Sequence, residues 1–388
     1  MKIAVLGGGI AGTAAAFEIA RQGGQPVLYF AHSGSSGLYS GALDFDAWDR
    51  AVEAEPVSEG LAQFAAALGI WELGQQTQRV ATLEGNVRPA RGTDRALLNL
   101  EQCAGKRVAV VDVERDDWDA PLLAKSFASS AWARQTQTQF FATAVPLLQA
   151  GFERRISAYD LATLLDSPAR SQALLSALRG RGAERDAWLF GPWLGIERAL
   201  SSELGAALGL PVGETTSTLG GSAGARFENA RDQLLERIAV VKRVHVTGVE
   251  RTRDGYRVIG SEGEAQEFSA AVLATGGVAA GGVALQRSFE RRGGTGFRLS
   301  FTGPVPLELH GEVVEGVSSL SSVDFVARGL GTLLAVGIAT NGAGEVRDNP
   351  GLFAAGDAVA GRPRTALGAA RSGLSAAQRA VEYIKTTP

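Results

Sequence analysis

Lys2-Ile3-Ala4-Val5-Leu6-Gly7-Gly8-Gly9-Ile10-Ala11-Gly12 decides how this chain folds. Residues 2–6 read as a short apolar strand, and Gly7, Gly9 and Gly12 follow at the spacing G-x-G-x-x-G. Residues 13–22 form an alanine-rich helical stretch that Gly23-Gly24 ends, and residues 26–31 are the next strand. Strand, glycine turn, helix and strand make a βαβ unit. In it Gly7 permits the tight turn, Gly9 lets backbone approach a pyrophosphate, and Gly12 lets helix and strand pack closely. The helix start at Ile10 and Ala11 offers N–H groups to phosphate. The glycine spacing alone is common, but in this strand–turn–helix–strand context it outweighs a ligand-free turn and points to a dinucleotide-binding fold.

One expected element is missing. About 20 residues past the turn the second strand should end in Asp or Glu, which holds the ribose hydroxyls. Phe30 stands there, followed by Ala31 and His32. Ribose contacts then fall to backbone or to His32 and Ser33, or the adenosine end is held weakly, so FAD and its alternative FMN both stay open. The small, hydroxyl-rich residues 33–44 come next. They suit a segment threaded along a cofactor, with Ser40 and Gly41 in contact, against the competing reading of a surface loop.

Further cofactor-shaped segments lie far along the chain. Residues 243–250, 256–259 and 267–268 read as an antiparallel meander turning at Asp254-Gly255. Residues 270–274 form a buried strand ending in Thr275-Gly276-Gly277, an order that recurs in flavoprotein dinucleotide folds. Residues 351–357 form a strand that stops at Gly356-Asp357, followed by a loop and a helix containing Arg371-Ser372-Gly373. The Asp357 carboxylate can accept from ribityl hydroxyls, Ser372 joins the cofactor set, and the following helix N-terminus can stabilise negative charge on a reduced flavin. Pieces at opposite ends of the chain imply an α/β, Rossmann-like FAD/NAD(P)-binding fold split by an inserted, mixed α+β second domain. The expected flavin-binding domain is 1–45, 210–285 and 340–388; 46–209 and 286–339 form the inserted substrate or partner domain.

Composition narrows the function classes. Hydrophobic residues make up 45% of the 388, enough for a sizeable core. A net charge of −3 with mixed signs argues against a nucleic-acid partner. No apolar run approaches the roughly 20 residues a membrane helix needs. One cysteine, Cys103, provides no disulfide, iron–sulfur cluster or structural zinc, and His32, His245 and His310 are too scattered for a metal site. Met1-Lys2 leads straight into a strand with no secretory leader, as expected of a cytoplasmic chain. In the middle region residues 107–113 and 139–145 are strand-like and 157–165 and 167–179 helical, with Ser167-Pro168 as a helix start. Residues 188–195 are aromatic and glycine-rich, read as core or interface, and residues 227–238 form an amphipathic helix. No Ser/His/Asp set, G-x-S-x-G or H-E-x-x-H occurs in this region.

With these motifs placed, the chain resembles a flavoprotein family, that of the smaller flavin subunit of the anaerobic glycerol-3-phosphate dehydrogenase. The likeness runs through the opening glycine turn, the absent acid at Phe30, Ser40-Gly41-Ala42-Leu43-Asp44 and Gly209-Leu210-Pro211-Val212 with the 226–238 helix. It continues through Val272-Leu273-Ala274-Thr275-Gly276-Gly277 and residues 351–357. The 361–365 loop differs, being rich in Arg and Thr where the family is richer in glycine. The resemblance implies a flavoprotein subunit passing electrons from glycerol 3-phosphate oxidation towards a quinone. It also implies a larger flavin subunit and an iron–sulfur subunit as partners, through which the chain is peripheral to the inner membrane.

The residues themselves leave two other readings: a stand-alone FAD-dependent oxidase or dehydrogenase of a small amine or hydroxy acid, and a non-redox flavin-fold assembly subunit. For an anionic substrate, Arg292 and Arg364 are the candidate anchors, because guanidinium matches phosphate bidentately. A solvated surface arginine is the competing reading for each, and the favoured one.

Overall fold

The computed structural model describes residues 1–32, 34–43, 56–181, 184–288, 294–314 and 335–387. The chain divides into two compact units, Met1–Ser36 with Arg231–Pro388, and Gly37–Ala230.

In the first unit, five strands form a parallel sheet in the order Val240–Lys242, Gln25–Tyr29, Lys2–Leu6, Ala271–Leu273, Leu352–Ala354. Counted along the chain the order is 3-2-1-4-5, the doubly wound arrangement of a Rossmann-like fold. Val5 lies opposite Leu28 on one side and Val272 on the other. Alternate side chains enter two different cores. Ile3, Val5, Val272 and Phe353 pack with Ala15 and Ile19 of helix Ile10–Arg21 and with Ala377 and Val381 of helix Ala366–Thr386. Ala4, Leu6 and Leu273 face Val249, Tyr256, Val258 and Phe268. A parallel sheet covered on both faces needs apolar residues at every position, which is why these strands read as unbroken apolar runs.

The meander is present as Val246–Arg251, Tyr256–Gly260 and Ala265–Phe268, all antiparallel. Gly255 turns its corner at φ +147°, where an added Cβ would stand 2.1 Å from the Phe268 carbonyl oxygen. The meander begins later than residue 243 because Val240–Lys242 is a separate strand, running parallel to Gln25–Tyr29. Three residues are too few for an alternation pattern, and the partner strand is remote in sequence. Beyond the meander, Val283–Ser288 pairs with Gly294–Leu299, and Leu307–Leu309 lies between Glu312–Val314 and Gly337–Ile338, all antiparallel.

The second unit has a parallel sheet of its own in the order Gln139–Ala144, Arg107–Asp112, Ala187–Phe190, Val212–Glu214. Helices fill each crossover: Ala120–Ala128 and Ala131–Thr136, then Ala158–Leu165 and Pro168–Arg179, then Leu200–Leu208. Pro168 occupies the first turn of its helix, where its missing N–H has no intrahelical partner to lose. The aromatic segment is core: Trp188, Phe190 and Trp193 are fully buried, and Trp193 meets Trp118 edge-on. An antiparallel sheet of Ala42–Leu43, Val87–Asp94 and Trp71–Ala81 completes the unit. Among the described residues no helix is long and apolar enough to cross a membrane.

Candidate dinucleotide site

In a doubly wound sheet, ligands bind beyond the carboxyl ends of the strands, where the strand order reverses. In the first unit that point lies between Lys2–Leu6 and Ala271–Leu273. Gly7 leaves the first strand at φ +118°, and a Cβ there would stand 2.0 Å from the Ala274 carbonyl oxygen. A Cβ on Gly12 would stand 1.8 Å from the carbonyl oxygen of Gly7. Both contacts are with backbone, so neither position accepts a side chain unless the main chain moves. Gly9 is the extended residue that starts the helix, and Thr13 Oγ1 donates to its carbonyl at 2.9 Å.

The helix start has a partner that sequence reading missed. The Ile10 N–H donates to Ser36 Oγ at 3.0 Å. The hydroxyl-rich composition of residues 33–44 was the only signal for it. His32 Nδ1 accepts from the Gly34 N–H at 3.2 Å, while Ser33 and Asp44 lie outside the described residues.

The remote segments arrive at the same edge of the sheet. Gly276 follows the fourth strand at φ +79°, and the Thr275 hydroxyl oxygen is buried with no hydrogen-bond partner among the described residues. Gly356 follows the fifth strand at φ +66°, and its N–H donates to Ser372 Oγ at 3.0 Å. A Cβ on Gly356 would approach Ala11 Cβ to 2.6 Å, and one on Gly373 would stand 2.1 Å from the Ala11 carbonyl oxygen. Gly7, Gly9, Ile10, Ala11, Gly12, Thr275, Gly276, Gly356, Asp357 and Ser372 therefore share one edge of one sheet.

Burial raises the Asp357 carboxyl above its ordinary range, and the nearby Arg364 charge works against that rise. For Arg364 burial lowers the guanidinium pKa and Asp357 opposes it. Arg364 Nη2 donates to the Val336 carbonyl at 2.9 Å, and Nη1 lies 3.0 Å from the place a Gly277 Cβ would take. The solvated-surface reading of Arg364 is thereby corrected. Its guanidinium is half-buried because the loop before helix Ala366–Thr386 folds it back onto Gly277. The helix itself begins at Thr365, whose Oγ1 accepts from the Gly368 N–H at 3.1 Å.

Two expected cofactor residues belong to the other unit. The Ser40 carbonyl accepts from the Ser217 N–H at 2.8 Å. The Gly41 carbonyl accepts from the Asp94 N–H at 2.6 Å and from the Tyr39 hydroxyl at 3.1 Å. Arg292 lies outside the described residues.

No family model and no curated protein matches the chain. It is similar to solved structures at low identity. The iminodiacetate oxidase of Chelativorans sp. BNC1 is 12% identical over 100% of this chain and 96% of that one, with a TM-score of 0.31. The glycine oxidase of Geobacillus kaustophilus is 12% identical over 98% and 94%, with a TM-score of 0.34. The atypical thioredoxin reductase of Desulfovibrio vulgaris Hildenborough is 14% identical over 100% and 98%, with a TM-score of 0.23. At scores this low nothing is carried over from them.

Proposed function

We propose that the chain is a flavin-dependent oxidoreductase, with FAD as its cofactor. The observation that carries this reading is the contact of Gly356 with Ala11, which joins two glycine-bearing segments from opposite ends of the chain at the switch point of a parallel sheet. The residues fit the group. Gly7 and Gly12 let the turn and the first helix close onto the Ala274 and Gly7 carbonyls, the tight turn that a pyrophosphate-binding backbone needs. Thr275 Oγ1 is a buried hydroxyl that lacks a partner among the described residues, and Asp357 presents acceptors suited to ribityl hydroxyls.

When bound, the flavin supplies hydride or electron transfer, while the protein supplies binding, orientation and electrostatics. The turn backbone orients the phosphates, and Asp357 with Thr275 orients the polyol. Arg364 is the anchor for an anionic substrate group, because its guanidinium lies beside Asp357 and Gly277.

The finer reading is the smaller flavin subunit of an anaerobic glycerol-3-phosphate dehydrogenase. It works at the cytoplasmic face of the membrane beside a larger flavin subunit and an iron–sulfur subunit. The sequence likeness described above supports it. A stand-alone oxidase or dehydrogenase of a small amine or hydroxy acid shares the same site, and activity of the isolated chain separates the two.

The decisive experiment is the absorption spectrum of the purified protein, with acid-released cofactor identified by chromatography. A flavin spectrum with released FAD is expected. A colourless protein that takes up neither FAD nor FMN from excess overturns the redox reading and favours an assembly role. Anaerobic bleaching of the bound flavin is then followed with glycerol 3-phosphate, small amines and hydroxy acids, with and without partner subunits.

A further inference from the structure

At the end of the second strand, where an acid is expected, the structure places a ring carrying two arginines. Phe30 is buried, and a Cβ on Gly8 of the glycine turn would stand 2.5 Å from its ring. The guanidinium of Arg231 lies 4.9 Å from the ring centroid and that of Arg243 5.0 Å. The Phe30 N–H donates to the Lys242 carbonyl at 3.1 Å, so Phe30 and Arg243 leave neighbouring parallel strands side by side.

Both arginines close on one carboxylate. Arg231 Nε donates to Asp232 Oδ1 and Arg243 Nη2 to Asp232 Oδ2, each at 2.8 Å. Arg231 also donates from Nη1 to the Gly8 carbonyl at 3.1 Å, which ties the cluster to the glycine turn. Arg231 is almost wholly buried, whereas Asp232 keeps 32% of its side chain exposed. Burial tends to raise the Asp232 carboxyl, but hydrogen bonds and charge from both arginines outweigh it and hold the group below its ordinary range.

We propose that Asp232, supplied by helix Ser222–Ile238, is the ribose-diol carboxylate of the dinucleotide site. It replaces the acid that the second strand lacks. An ionised carboxylate has about four acceptor positions. One N–H on each oxygen leaves acceptor capacity on both, matched to the two hydroxyls of a vicinal diol. Phe30 and the two arginines orient the carboxylate from behind, so no acid is needed at position 30. The recognised ligand class is an adenosine dinucleotide with an unmodified ribose, here FAD in preference to FMN. The choice of FAD rests on the flavin reading above; recognition of the diol requires only the dinucleotide turn.

The test is titration of the full chain with FAD, FMN, ADP, 2′-deoxy-ADP and 2′-phospho-ADP-ribose. The wild type is expected to bind FAD more tightly than FMN, and ADP more tightly than 2′-deoxy-ADP. Asp232→Ala and the milder Asp232→Asn should weaken FAD and ADP about tenfold and erase the deoxy discrimination. FMN has no adenosine end, so its unchanged affinity reports an intact fold. Adding Phe30→Glu to Asp232→Ala should restore part of the loss. FAD affinity unchanged in both variants overturns the proposal, as does wild-type indifference to the 2′-hydroxyl. Preference for the 2′-phosphorylated probe does so too, because Arg243 would then be reading a phosphate. A wild type that binds ADP with the deoxy discrimination but neither flavin supports the diol clamp and refutes the flavin reading alone.

Discussion

Arg226 Nη2 donates to Glu214 Oε2 at 2.7 Å in the interior of the second unit, and Arg226 Nε donates to Asp94 Oδ2 at 3.1 Å. One guanidinium thus serves two carboxylates, and none of the three side chains is more than 6% exposed. In the sequence Arg226 marks only the start of an amphipathic helix, because a buried ion cluster has no local pattern.

The cluster makes stability depend on pH. Burial pushes the Glu214 carboxyl from 4.5 up to about 7, with Arg226 pulling against the rise. The folded state therefore binds the proton more tightly than the unfolded state. The contribution is complete below the unfolded pKa and is lost as pH rises through about 7. Glu214→Gln removes this titration. Denaturant unfolding across that range should show the wild type losing stability relative to the variant as pH rises.

Gly12→Ala places a methyl 1.8 Å from the Gly7 carbonyl oxygen, a backbone atom that cannot swing aside. The expected cost is about 1–3 kcal/mol of stability, the range for an overpacked site. Cofactor content of the purified variant, read by absorption, should fall with it.

Thr275→Val separates a structural role from a ligand role. The hydroxyl oxygen is buried without a partner among the described residues, so removing it should leave stability unchanged or raise it by about 1 kcal/mol. Flavin affinity should instead drop roughly tenfold, the worth of one good hydrogen bond. Equal affinity in variant and wild type would show that the hydroxyl does not touch the cofactor.

Ser36→Ala deletes the acceptor of the Ile10 N–H at the start of the first helix. The expected loss is about 1 kcal/mol, as for other helix-start acceptors, and is visible as a lower melting temperature.

The glycine turn is legible in the sequence because its requirements are local. Positive φ at Gly7 and main-chain crowding at Gly12 are written in single residues at fixed spacing. The meander is equally readable from alternation and from Asp254-Gly255. Arg364 reads as a surface group because nothing in the 361–365 loop shows that it folds back onto Gly277. The third strand escapes notice because three residues pair with a strand far away, and only that pairing defines them.

By itself the sequence determined that the chain opens with a strand, a glycine turn, a helix and a second strand, since apolar runs and glycine spacing depend only on neighbours along the chain. Tertiary structure alone decided which remote groups reach that turn. Gly356 against Ala11, Arg364 against Gly277, and Phe30 against Arg231 and Arg243 all join residues from distant segments. Their proximity is set by strand order and helix packing, which no local spacing encodes.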